Sequence, residues 1–126
     1  MRIRFCRDTT ATTAVEFAMT APLFIGVLFA IVEFCLVLYA QLALQHGVEM
    51  AARCSAINVC PNTASAQTFA VSQSYGLNPP ANVFSVSSSV CGSQVSATYV
   101  YNFLTSFTGG PSVTLNARSC YPVNPP

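Results

Sequence analysis

Charge is what this chain has least of. Lysine is absent, and the 126 residues contain five arginines and four carboxylates, so charged residues make up 7% of the sequence. An average soluble protein has about 25%. The formal net charge is only +1, and a near-neutral chain without a basic patch lacks the electrostatic footprint of a nucleic-acid-binding protein. We therefore exclude nucleic acid as a partner.

The side chains that perform enzyme chemistry are equally scarce. Beyond residue 45 the chain has one histidine, His46, and one carboxylate, Glu49. No serine has an evident His and Asp to activate it. The cysteines lack the close pairs of a zinc site, and no glycine-rich phosphate loop is present. We predict that the protein is not an enzyme and has no catalytic residue, metal or cofactor, and we interpret His46 as a helix residue at a membrane boundary.

A long apolar run is the most prominent feature that the chain does have. Phe17 to Ala40 contains no Lys, Arg or Asp and a single carboxylate, Glu33. As a helix rising about 1.5 Å per residue it would be about 36 Å long, which is enough to cross a hydrocarbon core of about 30 Å. The run is longer than the apolar region of a secretory signal, and no small-x-small cleavage site follows it. We predict a transmembrane helix over residues 12–40.

Basic residues precede this helix and set its orientation. Three of the five arginines lie in the first seven residues. By the positive-inside rule, the N-terminus stays in the cytoplasm and the chain after about residue 45 is exported. The sequence thus divides into a basic leader over 1–11, the transmembrane helix over 12–40 and an exported domain over 41–126.

The helical pattern continues past the bilayer to about residue 57, where Glu49 and Arg53 are correctly ordered for an i,i+4 ion pair. We then expect a short helix over Thr63–Tyr75, ended by Gly76. Three runs with strand-like alternation follow, with a tight hairpin at Cys91-Gly92-Ser93. The predicted fold is α+β: a long N-terminal helix, a short second helix and a three-stranded antiparallel sheet. The predicted strands are Val83–Val90, Gln94–Phe103 and Ser112–Arg118.

Four cysteines fall on the exported side, an even number that suits a disulfide framework in a small exported domain. They allow three pairings. We favour Cys54–Cys60, which flank the break after the long helix, together with Cys91–Cys120, which end the first and third strands. Because a middle strand would keep those two strand ends about 9–10 Å apart, the second bridge would require the ends to fold over.

Small residues and a proline recur at every fourth position of the apolar helix, and such a row lets a neighbouring helix approach closely. The alternative is that Ala and Gly are simply common in membrane helices. Pro22 lacks a backbone donor and should kink or locally open the helix. The candidate packing face consists of Ala18, Pro22, Gly26 and Ala30.

The segment ATTAVEFAMTAPLFIGVLFAIVEF resembles the N-terminus of TadE-like proteins, the minor pseudopilins of tight adherence (Flp/Tad) pilus systems. The resemblance rests on the basic leader, Glu16-Phe17, Ala21-Pro22-Leu23, Val32-Glu33-Phe34 and Ala51-Ala52-Arg53. It is strongest over residues 7–54 and looser over 83–122. It implies a pilin-like fold and a non-enzymatic role in pilus assembly, and so in surface attachment.

The resemblance also implies processing and partners. A prepilin peptidase would cut between Ala11 and Thr12, so that Glu16 becomes the fifth residue; the family pattern has glycine where this chain has Ala11. The implied place is the bacterial inner membrane, crossed once with the C-terminal domain in the periplasm, or a pilus. The implied partners are other pilins or pseudopilins and the Tad assembly platform. The alternative function is a membrane-tethered binding domain unrelated to pili.

Two carboxylates are candidate assembly residues because ionisable groups in membrane helices are costly unless paired. Glu16, beside Phe17, could pair with the α-amino group of Thr12 on a neighbouring subunit and so set the register of assembly. The alternative is a solvated carboxylate at the water interface. Glu33 lies three residues after the packing-face residue Ala30, and we predict that it contacts a neighbouring helix.

Overall fold

The computed structural model describes residues 9–104 and 110–123, so residues 1–8 of the predicted leader lie outside the described part. The predicted α+β class is confirmed: two α-helices precede a three-stranded antiparallel sheet, with a short 3-10 helix at Ala81–Val83. The predicted long helix is present as one element. The helices are α1, Thr9–Ala56, and α2, Thr63–Ser72; the strands are β1, Phe84–Ser89, β2, Gly92–Asn102, and β3, Ser112–Tyr121.

The chain divides into two compact units, Met1–Phe34 and Cys35–Pro126. The first, as far as it is described, is the N-terminal part of α1. The second contains the rest of α1, α2 and the sheet, and its core is built on one face of α1. The buried helix residues in this core are small or medium-sized and recur at helical spacing; they are Ala40, Leu44, Val48, Ala51 and Ala52.

Gly47 allows the end of α2 to approach α1 closely. A Cβ added to Gly47 would lie 2.8 Å from the Ser74 Oγ atom and 2.9 Å from the Ala70 carbonyl oxygen. Ser74 is fully buried, and its hydroxyl donates a hydrogen bond to that same carbonyl oxygen at 2.7 Å. The absence of a side chain at Gly47 therefore makes room for a buried polar turn.

Helix α2 begins with a capping box, in which the Asn62 side chain accepts from the Ser65 backbone N–H and the Ser65 hydroxyl accepts from Asn62. It ends at Ser72, so the predicted end at Tyr75 was wrong. The physical reason is local backbone conformation: Tyr75 has φ +46° and Gly76 has φ +80°, and a left-handed residue cannot continue a right-handed helix.

The sheet has the order β1-β2-β3. Ser89 pairs with Gly92, so the two-residue hairpin turn is Val90-Cys91, and the predicted turn at Cys91-Gly92-Ser93 was wrong. Gly92 belongs to β2 with φ +122°, and a Cβ there would lie 2.3 Å from the Tyr121 carbonyl oxygen. Only glycine fits this position, because both the backbone conformation and the neighbouring chain exclude a side chain.

The strand boundaries also differ from those predicted. β1 is two residues shorter, spanning Phe84–Ser89, because the 3-10 helix precedes it. β2 begins at Gly92 and ends at Asn102, and β3 continues to Tyr121, which pairs with Ser93. Inward and outward positions alternate along β2 and β3 as the sequence pattern indicated, with Val95, Ala97, Leu115 and Ala117 buried.

The predicted Glu49–Arg53 ion pair was wrong: within the described residues these two side chains form no salt bridge with each other. Instead Gln45 Nε2 donates to Glu49 Oε1 at 3.0 Å. The Arg53 guanidinium carbon lies 5.4 Å from the centroid of the Tyr121 ring. An exposed helical ion pair is worth only a few tenths of a kcal/mol, so a cation–π contact of about 0.5–1 kcal/mol can replace it.

We expect Gly47→Ala to destabilise the second unit. Alanine is favoured over glycine in helices by about 1 kcal/mol, but overpacking against a backbone oxygen typically costs about 1–3 kcal/mol. Urea unfolding of the detergent-solubilised protein, followed by circular dichroism, would measure the change. The matched control is Gly26→Ala in the same helix, where an added Cβ meets no atom within 4 Å. A Gly47→Ala variant as stable as that control would contradict the close approach.

Candidate functional site

The N-terminal part of α1 exposes large apolar side chains. Among the described residues, α1 is the one helix that is long and apolar enough to cross a membrane. Only 11% of its most apolar stretch of 18 residues is buried. A core helix of a soluble protein would be mostly buried, so these side chains need an apolar environment from outside the chain. The most exposed members are Phe17, Met19, Leu23, Phe24 and Phe34.

Glu16 and Phe17 both lie on the exposed surface of this segment. The Glu16 backbone carbonyl accepts a hydrogen bond from the Thr20 hydroxyl at 3.0 Å. α1 begins at Thr9, so the predicted processing site between Ala11 and Thr12 lies in its first turn, and the side chain of Ala11 is outside the described residues. In the uncut helix Glu16 is almost two turns from the N-terminus, beyond the range of the helix dipole. A cut before Thr12 would bring a free amino group within about one turn of it.

The candidate packing face is open within the chain. Its four members are all exposed, and space for a Cβ at Gly26 is unoccupied. α1 continues through Pro22 without a break. The proline removes one backbone donor from the helix, and the kink or local opening that we expect there stays a prediction. The structure therefore leaves this face available, and its contact with another helix remains a prediction.

Glu33 is in a different environment from Glu16. It is 8% exposed, whereas its neighbours Val32 and Phe34 are 54% and 63% exposed. Little of its side chain is therefore presented to a neighbouring helix. The predicted inter-helix contact of Glu33 remains a prediction that this burial does not favour.

Two contacts that we did not predict connect α1 to later elements of the second unit. The Tyr39 hydroxyl donates to the Tyr75 carbonyl oxygen, and Gln41 Nε2 donates to the carbonyl oxygen of Asn116 on β3 at 2.8 Å. The available signal was weak: a tyrosine at the end of an apolar run is typical of a membrane interface. A glutamine there has no characteristic pattern.

Two charged side chains of the second unit, Glu49 and Arg53, line one shallow cleft of about 350 Å³. Its other lining residues are His46, Met50, Ser119 and Tyr121. His46 is already engaged: its Nδ1 atom is 2.9 Å from the Gln73 carbonyl oxygen, and its ring centroid is 4.5 Å from that of Tyr75. In the described residues no cluster of three His, Cys, Asp or Glu side chains could hold a metal ion. His46 has a packing role there.

Both disulfides that we favoured are present. Cys54–Cys60 closes the end of α1 with a Cα–Cα distance of 5.3 Å, and Cys91–Cys120 has a Cα–Cα distance of 6.3 Å. We had expected the second bridge to require the sheet ends to fold over, and this is not needed. Cys91 lies in the hairpin turn beyond β1, next to the start of β2, so that it is one strand away from Cys120. The Ser89 hydroxyl lies 2.7 Å from the Cys91 sulfur.

A family model described as TadE-like protein matches residues 11–53. The match confirms the predicted resemblance for the segment that contains Thr12, Glu16, the candidate packing face and Glu33. It shows that this part of the chain is similar to TadE-like proteins. It covers most of α1 and none of the sheet. Neither the curated proteins nor the solved structures contain a significant match to the chain.

We expect removal of the Cys91–Cys120 bridge to destabilise the second unit by about 3.6 kcal/mol, because a loop of about 30 residues is released in the unfolded chain. Replacing both cysteines with serine and measuring urea unfolding under non-reducing conditions tests this value. The control is Cys35→Ser, since Cys35 is free and exposed and its loss should leave the midpoint unchanged. Equal midpoints for the double variant and the control would show that the bridge contributes nothing.

Proposed function

We propose that this protein is a non-enzymatic, pseudopilin-like component of a tight adherence (Tad/Flp) pilus system, anchored in the bacterial inner membrane and acting in pilus assembly. The proposal rests on one observation: the family match and the exposed apolar segment lie on the same helix. The TadE-like match over residues 11–53 falls on α1, whose N-terminal part is apolar and exposed. The second half of α1 belongs to a compact unit that contains two disulfides.

The proposed orientation places the N-terminus in the cytoplasm and the second unit in the periplasm. Three arginines in the first seven residues support this topology. The two disulfides also support it, because disulfides persist in the periplasm and are rare in the cytoplasm. The apolar segment of α1 then crosses the membrane once, and the second unit is carried on its outer side.

Glu16 has the central role in the proposed assembly. An exposed carboxylate in an apolar helix is costly in lipid unless it is paired. After a cut before Thr12, each subunit presents an α-amino group one turn from its own Glu16. The same group can pair with Glu16 of an adjacent subunit, provided the two helices lie side by side at a fixed axial offset. Ala18, Pro22, Gly26 and Ala30 are small enough to permit that approach.

The proposed partners follow from this arrangement: a prepilin peptidase at the leader, other pilins or pseudopilins along the apolar helix, and the Tad assembly platform. None of these interactions requires a catalytic group of this chain. The second unit would be the part that is displayed, either in the membrane or within a filament.

We expect the mature protein to begin at Thr12. Mass spectrometry of the N-terminal peptide, from cells that contain the peptidase, measures this directly. Ala11→Gly restores the family residue before the cut and should leave the site unchanged while making cleavage at least as complete. An intact Met1 in both the wild type and Ala11→Gly would exclude peptidase processing and would favour a simple membrane anchor.

We expect Glu16→Gln to abolish co-purification of the protein with its partner pilins, because the amide keeps the size of the side chain but removes its charge. The fold should be unaffected, since the Glu16 side chain is exposed. Glu49→Gln is the matched control, being the same substitution on the same helix but within the second unit, and it should retain co-purification. Normal co-purification of Glu16→Gln would contradict the register role.

A further inference from the structure

The second unit has a strongly uneven distribution of charge. No charged residue occurs between Arg53 and Arg118. The charged side chains that the unit does contain lie toward the C-terminal end of β3: Arg53 packs over the Tyr121 ring, and the Arg118 Nη2 atom donates to Gln94 Oε1 at 2.6 Å. Glu49 lines the same cleft as Tyr121. The other end of the sheet carries no charge at all.

That uncharged end consists of residues 100–104, at the end of β2 and just beyond it, and we call it the aromatic end. The Tyr101 and Phe103 rings meet edge to face with their centroids 5.8 Å apart. Val100 and Leu104 are 52% and 63% exposed. Tyr101 and Phe103 are half-buried, and Tyr101 packs against the core of the second unit. The exposed apolar side chains of this end are therefore Val100 and Leu104, and exposed apolar side chains can mark an interaction surface.

Two contacts establish how β3 runs along α1 within the second unit. Gln41 contacts Asn116, and twelve helix residues later Arg53 contacts Tyr121. Twelve helix residues correspond to about 18 Å, and the five strand residues from Asn116 to Tyr121 correspond to about 17 Å. β3 therefore runs parallel to α1, and the two segments between these contacts have nearly the same length.

The same comparison of helix length with strand length gives the position of the aromatic end along α1. Going back from Gln41 to Cys35 covers about 9 Å of helix, which equals about three strand residues. Three residues before Asn116 is Val113, whose partner on β2 is Tyr101. Tyr101 is therefore level with Cys35, the first residue of the second unit.

We propose that the aromatic end lies in the interfacial region of the bilayer, where it contacts lipid headgroups and the upper acyl chains. A span that begins at Phe17 needs about 20 residues, so it ends near Leu36, at the level of Tyr101. The inference rests on the membrane anchoring in the proposed function. It adds that the folded unit itself is seated on the membrane instead of being held away from it.

The chemistry of the aromatic end fits this environment. Tyrosine is enriched at membrane interfaces because its ring is apolar and its hydroxyl can reach water. Tyr39 lies one turn after Cys35 on α1 and is 47% exposed, and its hydroxyl donates to the Tyr75 carbonyl oxygen. The charged side chains of the second unit lie toward the opposite end of the sheet.

Tryptophan fluorescence can test this placement cleanly, because the chain contains no tryptophan. Three single variants of the full-length protein would be reconstituted in nanodiscs of phosphatidylcholine and phosphatidylglycerol, with and without bromine on the acyl chains. Leu104→Trp probes the aromatic end. Phe24→Trp probes the apolar part of α1, and Val90→Trp, at the fully exposed hairpin turn, is the aqueous control.

We expect Leu104→Trp to be blue-shifted and quenched by brominated lipid, most strongly by bromine near the headgroup. Phe24→Trp should be quenched more strongly by deep bromine, and Val90→Trp should be unaffected. If Phe24→Trp is quenched while Leu104→Trp behaves like Val90→Trp, the anchor stands and this inference is wrong. A blue shift of Leu104→Trp without quenching, dependent on the number of copies per disc, would assign the surface to a second copy. Absence of quenching at Phe24→Trp would overturn both the anchor and the inference.

Discussion

The second unit depends on how closely the later elements approach the second half of α1. Alanine and glycine occupy much of the buried face there, and Gly47 lets the end of α2 bring the Ala70 carbonyl oxygen within contact of the helix. The exposed apolar segment of α1 has the opposite character, with Phe17, Leu23 and Phe24 largely exposed. The second half of α1 therefore buries small residues within the chain. The bulky apolar residues of its first half are exposed and require an apolar environment outside the chain. One helix serves both as the proposed membrane span and as the core of the folded unit.

The folded unit achieves its packing almost without charge. Uncharged amides connect its elements: Gln41 Nε2 donates to the Asn116 carbonyl oxygen, and Gln67 Nε2 donates to the Phe84 carbonyl oxygen at 2.7 Å. A small core of this kind usually needs covalent support, and the two disulfides supply it at the end of α1 and at the β1–β2 hairpin. A unit held by neutral hydrogen bonds and disulfides loses little when part of its surface leaves water, which suits a place beside a membrane.

Much of this could be predicted from the sequence because the signals are local. Four features depend on residues that are close in the sequence: the apolar run, the alternation in β2 and β3, the break after α1 and the pairing of Cys54 with Cys60. Two of the errors have different causes. The hairpin position depends on a contact between distant residues, the approach of Tyr121 to Gly92, whereas the end of α2 depends on the left-handed backbone at Tyr75. The low exposure of Glu33 is a further feature that helical periodicity does not encode.

The central claim is that the apolar part of α1 anchors the protein while the second unit folds outside the cytoplasm. A C-terminal alkaline phosphatase fusion tests both parts at once, because that enzyme is active only after its own disulfides form in the periplasm. After an alkaline carbonate wash of the membranes, we predict active phosphatase in the membrane pellet. Phosphatase activity in the wash would contradict the anchor, and inactive fusion protein in the pellet would contradict the orientation.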